Sequence, residues 1–526
     1  MIDPNPDWTD GATIETDLCI VGAGVVGLSL AQAFLGAGLK VLVLEGGGWQ
    51  PSVRGQDDLW AERAGMNNHA LGFSRFRCFG GTGGYWAGLC PRPEPHDLDG
   101  TGGRPTWPVT LQELEPWFAR AEALLAVPHP ANDLTAWEKR IGSVPDLGAT
   151  LRSVILPIAQ RQDPARYWRK QFETDTEIRI TLGSDVTEIE VDDDGHRVTA
   201  LNVALQGGRR VRVQSRATVL AGGGIENARL LLLSDARLRG GIGNGYGQVG
   251  RVFMDHLYCY AGHLEPATEA MECGPHIVKQ FSDLSPHPGA IVAYALSEQQ
   301  IRDEGLNGAA AFFMHRAAFQ LTPDYDGPGG EAVTHFAEIL RKERYPDRGT
   351  AAMGGALLRY APSVARLVLG HAAQVVRPQT RIALRMQIEA SPRSESRVTL
   401  TAARDRLGRR RARIDWQIDP GDGRGAARLW RSLEAGVRDA GIGRLIGTPP
   451  GENGVWPAST TGGKHHMGTT RMSSDPSSGV VDREGRVHGI ENLFIAGSSV
   501  FPTGSWANPT LTAVALALRL ADRLAR

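Results

Sequence analysis

The chain has 526 residues, 41% of them apolar, a net charge of −1 and 65 glycines. That length exceeds one hydrophobic core and predicts roughly two to four domains. The near-zero charge argues against recruitment of nucleic acid or an anionic membrane surface, and no stretch approaches the roughly 20 apolar residues of a membrane helix.

Met1 to Gly11 is acidic and Pro-containing, without the basic start and apolar run of a signal peptide, so a cytoplasmic location is expected. Asp17 to Val21 reads as a buried strand, Gly22 to Gly27 as a glycine turn, Val25 to Leu35 as a helix and Lys40 to Glu45 as a second strand. This is a βαβ unit of a parallel sheet. Glycines crowd again between Phe73 and Leu89. The helical region Leu111 to Leu125 contains Pro116, which predicts that its main helix starts there. Ile178 to Asp193, Val198 to Leu205 and Arg209 to Val219 alternate like antiparallel strands, and Ala221 to Gly224 is a second glycine turn before a helix at Glu226 to Leu233.

From Met254 to Val455, strand-like runs such as Ile382 to Ile388 and Arg397 to Leu400 alternate with helix-like runs such as Ala332 to Lys342. Asp324 to Gly330 has loop chemistry throughout. Arg409 to Arg411 with Arg413 reads as a solvated hairpin ending at Trp416. Asn492 to Ala496 is a strand. Pro509 to Leu524 is an amphipathic helix with Asn508 where an N-cap belongs. The five cysteines are odd in number and form no CxxC pair, so neither a disulfide framework nor a metal site is expected.

Gly22-Ala-Gly24-Val-Val-Gly27 is a GxGxxG turn between strand and helix. Gly22 permits the turn, Gly24 lets backbone approach a pyrophosphate, and Gly27 lets the helix pack on the strand. Glu45 ends the second strand, roughly 20 residues further on, where a carboxylate can accept from a ribose diol. The pattern indicates a dinucleotide without separating NAD from FAD.

Further segments resemble the glucose–methanol–choline (GMC) oxidoreductases, whose members bind FAD. They are Gly80-Gly-Thr-Gly-Gly-Tyr-Trp-Ala-Gly88, Val249-Gly-Arg-Val-Phe-Met-Asp-His256, Glu389 to Val398, His465-His-Met-Gly-Thr-Thr-Arg-Met472, Asn492 to Pro502 and Asn508-Pro-Thr-Leu-Thr512. The branch most similar holds the pyranose oxidases, glycoside 3-oxidases and fructose dehydrogenases. The resemblance implies an α/β fold: a Rossmann-like FAD-binding domain assembled from discontinuous segments, plus a substrate domain with a large, mostly antiparallel sheet. FAD-binding segments are expected at 1–92, 177–255 and 459–526, a substrate or cap region at 93–176, and the substrate-binding domain at 256–458.

The resemblance also implies roles. His465, four residues before Thr469, is the expected base, and Asn508 the group that orients the alcohol oxygen as hydride passes to the flavin. Gly80, Gly81, Thr82, Val186, Ala221, Gly497, Ser498, Pro509 and Thr510 join Gly22, Gly24, Gly27 and Glu45 as expected cofactor contacts. Tyr85, Gln387, His466 and Trp506 are expected near substrate. Trp456 and Trp506 are aromatics that can line a sugar site; the alternative for them and for Tyr85 is core packing, and for Asn508 a helix cap. Some members tether FAD through a His just before the Trp of the second glycine loop. Tyr85 holds that place here, so noncovalent FAD is expected. The expected reaction removes hydride from a CH–OH group of a sugar, glycoside or polyol. Electrons then pass to oxygen, a quinone or a redox protein. A flavin-containing lyase without net redox chemistry is the alternative, and an NAD-dependent enzyme or bare nucleotide-binding module a third reading.

Overall fold

The computed structural model describes residues 1–526 except 67–73, 129–132, 270, 272–273, 275, 279–288, 318–319, 321–329, 331, 334–335, 338–339, 341–349 and 377–379. The loop expected at 324–330 falls outside the described residues save for Gly330. So do Cys273 and much of the helix expected over 332–342.

An eight-stranded sheet takes strands from distant parts of the chain. Its order is Ile2–Asp3, Ile178–Thr181, Val41–Leu44, Thr13–Val21, Arg210–Leu220, Val198–Leu205 and Ser184–Val191, with Leu493–Ile495 also paired to Arg210–Leu220. Pairing is parallel from Ile2–Asp3 through Arg210–Leu220 and on to Leu493–Ile495. All four residues of Val41–Leu44 are buried, as a strand covered on both faces requires. The run expected to be antiparallel from Ile178 is in fact two strands. Gly183, at φ +63°, turns the chain between Ile178–Thr181, which pairs parallel with Val41–Leu44, and Ser184–Val191, which pairs antiparallel with Val198–Leu205.

Thr13–Val21 and Arg210–Leu220 are neighbours, and each feeds a helix from its carboxyl end, Val25–Gln32 and Gly223–Leu233. A crevice at such strand ends is where open α/β sheets bind ligands. The first helix stops at Gln32 rather than Leu35, because Ala33, Phe34 and Leu35 turn through bonds three residues back and Gly36 takes φ +71°.

A second eight-stranded sheet runs Gly443–Ile446, Leu257–Pro266, Thr380–Ile388, Ala309–Ala317, Ala290–Leu296 and Leu151–Pro157, each neighbouring pair antiparallel. Thr461–Gly462 pairs with the start of Leu257–Pro266, with Leu257 opposite Gly462, and the Gly463 N–H donates to the His256 carbonyl at 2.8 Å. That register sets His256 beside Lys464 and His465.

Pro116 does not start its helix. The helix is Leu111–Leu125, opened by a reciprocal cap: the Glu113 N–H donates to Thr110 Oγ1 at 3.2 Å and the Thr110 N–H to Glu113 Oε2 at 2.8 Å. Pro116 forfeits its own bond to Gln112 one turn back, and the cap and the buried face of Leu114, Phe118, Ala121 and Leu125 outweigh that loss.

The hairpin of Arg397–Arg404 and Arg410–Trp416 joins Glu62–Gly65 in a third sheet. It is solvated only in part: Arg410 and Arg413 remain accessible, pairing with Asp235 and Glu62. Arg411 is fully buried and pairs with Asp57 at 2.8 Å, and Arg409 pairs with buried Asp405 at 2.7 Å. A run of arginines in sequence suggests a solvated charge cluster. Asp57 and Asp405 enclose Arg411 and Arg409 instead, and only the other two face solvent.

The last helix, Thr510–Leu524, is buried along most of its length and packs on Leu111–Leu125 and Val25–Gln32. Asn508 does not cap it. Pro509 occupies the cap position with helical φ −74° and ψ −15°, and the Asn508 side chain is engaged elsewhere. Among the described residues no helix is long and apolar enough to cross a membrane.

Candidate active site

One cavity of about 650 Å³ reaches from Glu45 and the glycine turns to His465 and Asn508. Its volume is in the range of cofactor sites. Gly22 takes φ +108°, and a Cβ there would lie 2.8 Å from the Ala221 carbonyl oxygen, so the two strand ends approach only because it is glycine. Gly24 lines the cavity, with nothing within 4 Å of where its Cβ would stand. The second glycine loop seals onto the first: the Gly80 N–H donates to the Ala23 carbonyl at 2.9 Å, and a Cβ on Gly81 would meet Gly24 Cα at 2.9 Å.

Gly81, Thr82, Val186, Ala221, Gly497, Ser498, Pro509 and Thr510 all line the cavity. Gly27 and Gly80 do not. A Cβ on Gly27 would stand 2.0 Å from the Gly22 carbonyl oxygen and one on Gly80 2.7 Å from Ala165 Cβ, so these two are packing positions behind the wall. Glu45 is buried at the cavity edge and accepts from the Ala23 N–H at 3.0 Å and the Gly47 N–H at 2.8 Å. Burial raises its pKa, against the pull of those N–H groups and Arg77.

Around this end stand charges that sequence reasoning missed: Arg75, Arg77, Glu226, Arg229 and Arg409. Although burial opposes ionisation, Arg229, Arg75 and Arg77 pull Glu226 down to about 2. Arg75 lies in a segment whose sequence signal is its glycines, and Glu226 and Arg229 on a helix whose signal is its apolar face.

At the other end His465 Nε2 and Asn508 Nδ2 are 3.2 Å apart. His465 Nδ1 is 2.8 Å from His256 Nδ1, and His256 Nε2 is 2.8 Å from the Ser505 carbonyl. Asp255 clamps the backbone of the segment, accepting from the His465 N–H at 2.7 Å and the Lys464 N–H at 3.0 Å. Lys464 and Ser505 take φ +66° and +53°, left-handed conformations that cost free energy for side-chain-bearing residues and often mark functional sites. Burial, then the neighbouring His256, His466, Arg385 and Lys464, hold the His465 pKa well below the usual imidazole value.

His466 also lines the cavity, away from Asn508. Its ring lies 5.7 Å from that of Phe253, its carbonyl accepts from Ser498 Oγ at 2.7 Å, and burial with nearby Arg75 and Lys464 lowers its pKa to about 3. Tyr85 lines the cavity with its ring stacked 4.0 Å from that of Phe76. Gln387 and Trp506 do not reach it. Gln387 lies behind the His–Asn pair, bonded to Tyr258, Asn508 and the Trp506 carbonyl, and the Trp506 indole packs in the second sheet's core. Tyr258, Phe312, Arg385 and Lys464 line this end in their place. His256 and Asp255 had a sequence signal: two polar residues closing the apolar run Val252 to Met254. Glu94, His96 and Asp97 are the one group among the described residues with metal-ligand atoms within 4.8 Å of one another. Arg152 already bonds Glu94, and Arg104 lies 4.0 Å from Asp97.

Residues 392–517 match the family described as GMC oxidoreductase, and residues 17–257 the family described as FAD dependent oxidoreductase. A 2-methyl-1,2-propanediol dehydrogenase of Mycolicibacterium austroafricanum is 22% identical, covering 97% of this chain and 95% of that protein. A 6'''-hydroxyparomomycin C oxidase of Streptomyces lividus is 25% identical over 97% of this chain and 91% of that protein. A C-glycoside 3-oxidase of Arthrobacter globiformis is 41% identical over 16% of each chain. In structure, pyridoxine 4-oxidase from Mesorbium loti superposes with a TM-score of 0.55 at 19% identity, over 97% of this chain and 99% of that one.

Fold, site and relatives together define a FAD-dependent oxidoreductase that acts on CH–OH groups. The chain belongs to the GMC oxidoreductase family. The relatives are oxidases and dehydrogenases, so neither the lyase alternative nor the NAD reading finds support.

Proposed function

We propose that this enzyme oxidises a secondary or primary alcohol of a sugar or glycoside, with His465 as the base and Asn508 orienting the substrate oxygen. The observation that carries this reading is the pairing of His465 and Asn508, 3.2 Å apart, at the end of the cavity opposite Glu45. His465 accepts the hydroxyl proton at Nε2. Its lowered pKa keeps that nitrogen neutral and available at neutral pH. Asn508 Nδ2–H is the donor that meets the alcohol oxygen.

The residues fit FAD. Gly24 opens directly into the cavity, Gly81 closes over it, and each Glu45 oxygen keeps a lone pair for a ribose hydroxyl after accepting its backbone N–H. Gly22, Val186, Ala221, Gly497, Ser498, Pro509 and Thr510 complete the wall, and FAD is held noncovalently, because Tyr85 offers no imidazole for a tether. When bound, FAD supplies the acceptor for the hydride that leaves the carbinol carbon. Relatives named C-glycoside 3-oxidase and pyranose 2-oxidase support a sugar or glycoside as donor and oxygen as acceptor, and the relative named a dehydrogenase keeps a quinone or a redox protein as the other acceptor.

Anaerobic mixing of the yellow holoenzyme with a panel of sugars and glycosides tests the reading: bleaching by at least one is expected, and bleaching only by small aliphatic diols would overturn the sugar assignment. Acid precipitation should release FAD to the supernatant, and flavin retained in the pellet would refute noncovalent binding.

A further inference from the structure

The hydrogen bonds behind His465 have one consistent direction. His256 is fully buried, and its Nε2 faces only acceptors, the carbonyls of Ser505 at 2.8 Å and Gly504 at 3.3 Å. Nε2 must therefore carry a hydrogen. Burial lowers the His256 pKa and favours the neutral ring, so Nδ1 holds a lone pair. Gln387 agrees. Its Nε2 donates to the Trp506 carbonyl and its Oε1 accepts from the Tyr258 hydroxyl, which fixes the orientation of the amide. The second hydrogen of the same Nε2 is shared between His256 Nδ1 and Asn508 Oδ1, each 3.3 Å away, again a donor facing the His256 lone pair. Two neutral imidazoles whose Nδ1 atoms are 2.8 Å apart share one hydrogen. With His256 accepting, His465 must donate from Nδ1.

We propose that His256 is a positioning residue that locks His465 in its Nδ1–H tautomer and so leaves Nε2, beside Asn508 and the cavity, as the proton acceptor before substrate arrives. Gln387 orients the other half of the pair, since by donating to Asn508 Oδ1 it turns Asn508 Nδ2 toward His465. The inference rests on His465 as the base. Without His256 the ring would be free to carry its hydrogen on Nε2, where it could not accept one. The alcohol proton would then have no acceptor in that fraction of molecules.

The test is long-range proton–nitrogen NMR of the holoenzyme labelled with ¹⁵N-histidine, with the His465 signals identified by their loss in His465→Gln. The expected spectrum has a pyrrole-like Nδ1 and a pyridine-like Nε2 on His465. His256→Phe, which keeps a ring but offers no acceptor, should give averaged shifts from both tautomers. It should also slow flavin reduction on the order of 10²-fold at saturating sugar with KM little changed, as when other histidine-orienting partners are lost. His256→Asn, whose Oδ1 can stand where Nδ1 stood, should restore the Nδ1–H signature and most of the rate. A wild-type His465 protonated at Nε2, or a His256→Phe enzyme with unaltered tautomer and rate, would overturn the proposal. The wild-type spectrum decides even if His256→Phe fails to fold. It also needs no substrate, so a sugar panel without bleaching would sink the functional reading and leave the tautomer question answered.

Discussion

His465 Nε2 lies 3.2 Å from Asn508 Nδ2, although 43 residues separate the two in the chain. His465 is held by Asp255 through its backbone and by His256 through its ring, while Asn508 precedes the buried final helix. Neither side chain can drift without disturbing a buried element. That supports a pair preorganised for chemistry rather than a chance contact.

His465→Ala should bind FAD and lose flavin-reduction rate by about 10²–10⁴-fold, the usual worth of a general base, or roughly 2.7–5.5 kcal/mol of barrier. His466→Ala, whose ring faces Phe253 rather than Asn508, should lose far less. Stopped-flow bleaching of the two FAD-loaded variants compares them. A crippled His466→Ala beside a normal His465→Ala would move the base by one residue.

Glu45→Gln should weaken FAD binding by on the order of 10-fold to 100-fold, since a hydrogen bond to a charged group is worth roughly 1.5–3 kcal/mol. It should also loosen the glycine turn. The new amide N–H₂ must face either the Ala23 or the Gly47 N–H, both of which now donate to the carboxylate. Equilibrium titration of the apoprotein with FAD measures the loss, and unchanged affinity would remove Glu45 from the cofactor site.

The pH dependence has a definite sign. His466 has a folded pKa of about 3, below its ordinary 6.5, so the unfolded chain takes up its proton first as pH falls. The stability it contributes is complete above pH 6.5 and drains away between there and pH 3, at up to about 1.4 kcal/mol per pH unit. His466→Asn should flatten the fall in urea midpoint across that range, and an unaltered slope would disprove the shift. The lowered pKa of His465 likewise predicts that flavin reduction holds steady down to pH 6.5 and declines only below it.

Arg411→Leu should destabilise the protein by about 1.5–3 kcal/mol, since it removes a buried charged donor while the partly exposed Asp57 left behind can be solvated. The guanidinium donates to the Asp57 carboxylate and to the backbone carbonyls of Arg404 and Asp57, tying the hairpin to the chain near Glu62–Gly65. Urea denaturation reads the change. A loss under about 1 kcal/mol would mean that the pair contributes no more than a surface salt bridge.

Much is legible locally. Strand, glycine turn, helix and acid follow one another within Asp17 to Glu45, and their spacing alone indicates a dinucleotide site. Gly22 and Gly24 line the cavity and Gly27 packs behind it, as that pattern requires, while Gly80 serves packing that no linear pattern distinguishes from ligand contact. The Leu111–Leu125 helix starts one turn before the proline signal at Pro116, because the Thr110–Glu113 cap prevails, although both signals stand in the sequence.

By itself, then, the sequence determined the elements whose causes are local. These are periodic apolar runs, glycines where φ is positive, and the order of segments that marks the family. The tertiary structure alone decided which distant side chains meet. Pairing of Leu257–Pro266 with Thr461–Gly462 puts His256 against His465, docking of Glu62–Gly65 on Arg410–Trp416 brings Asp57 to Arg411, and Gln387, on the same strand face as the cavity-lining Arg385, is taken up by Tyr258, Asn508 and the Trp506 carbonyl. Such contacts are set by strand register and burial. Both arise only when segments far apart in the chain share one core, and a shift of one residue in either would point every side chain the other way.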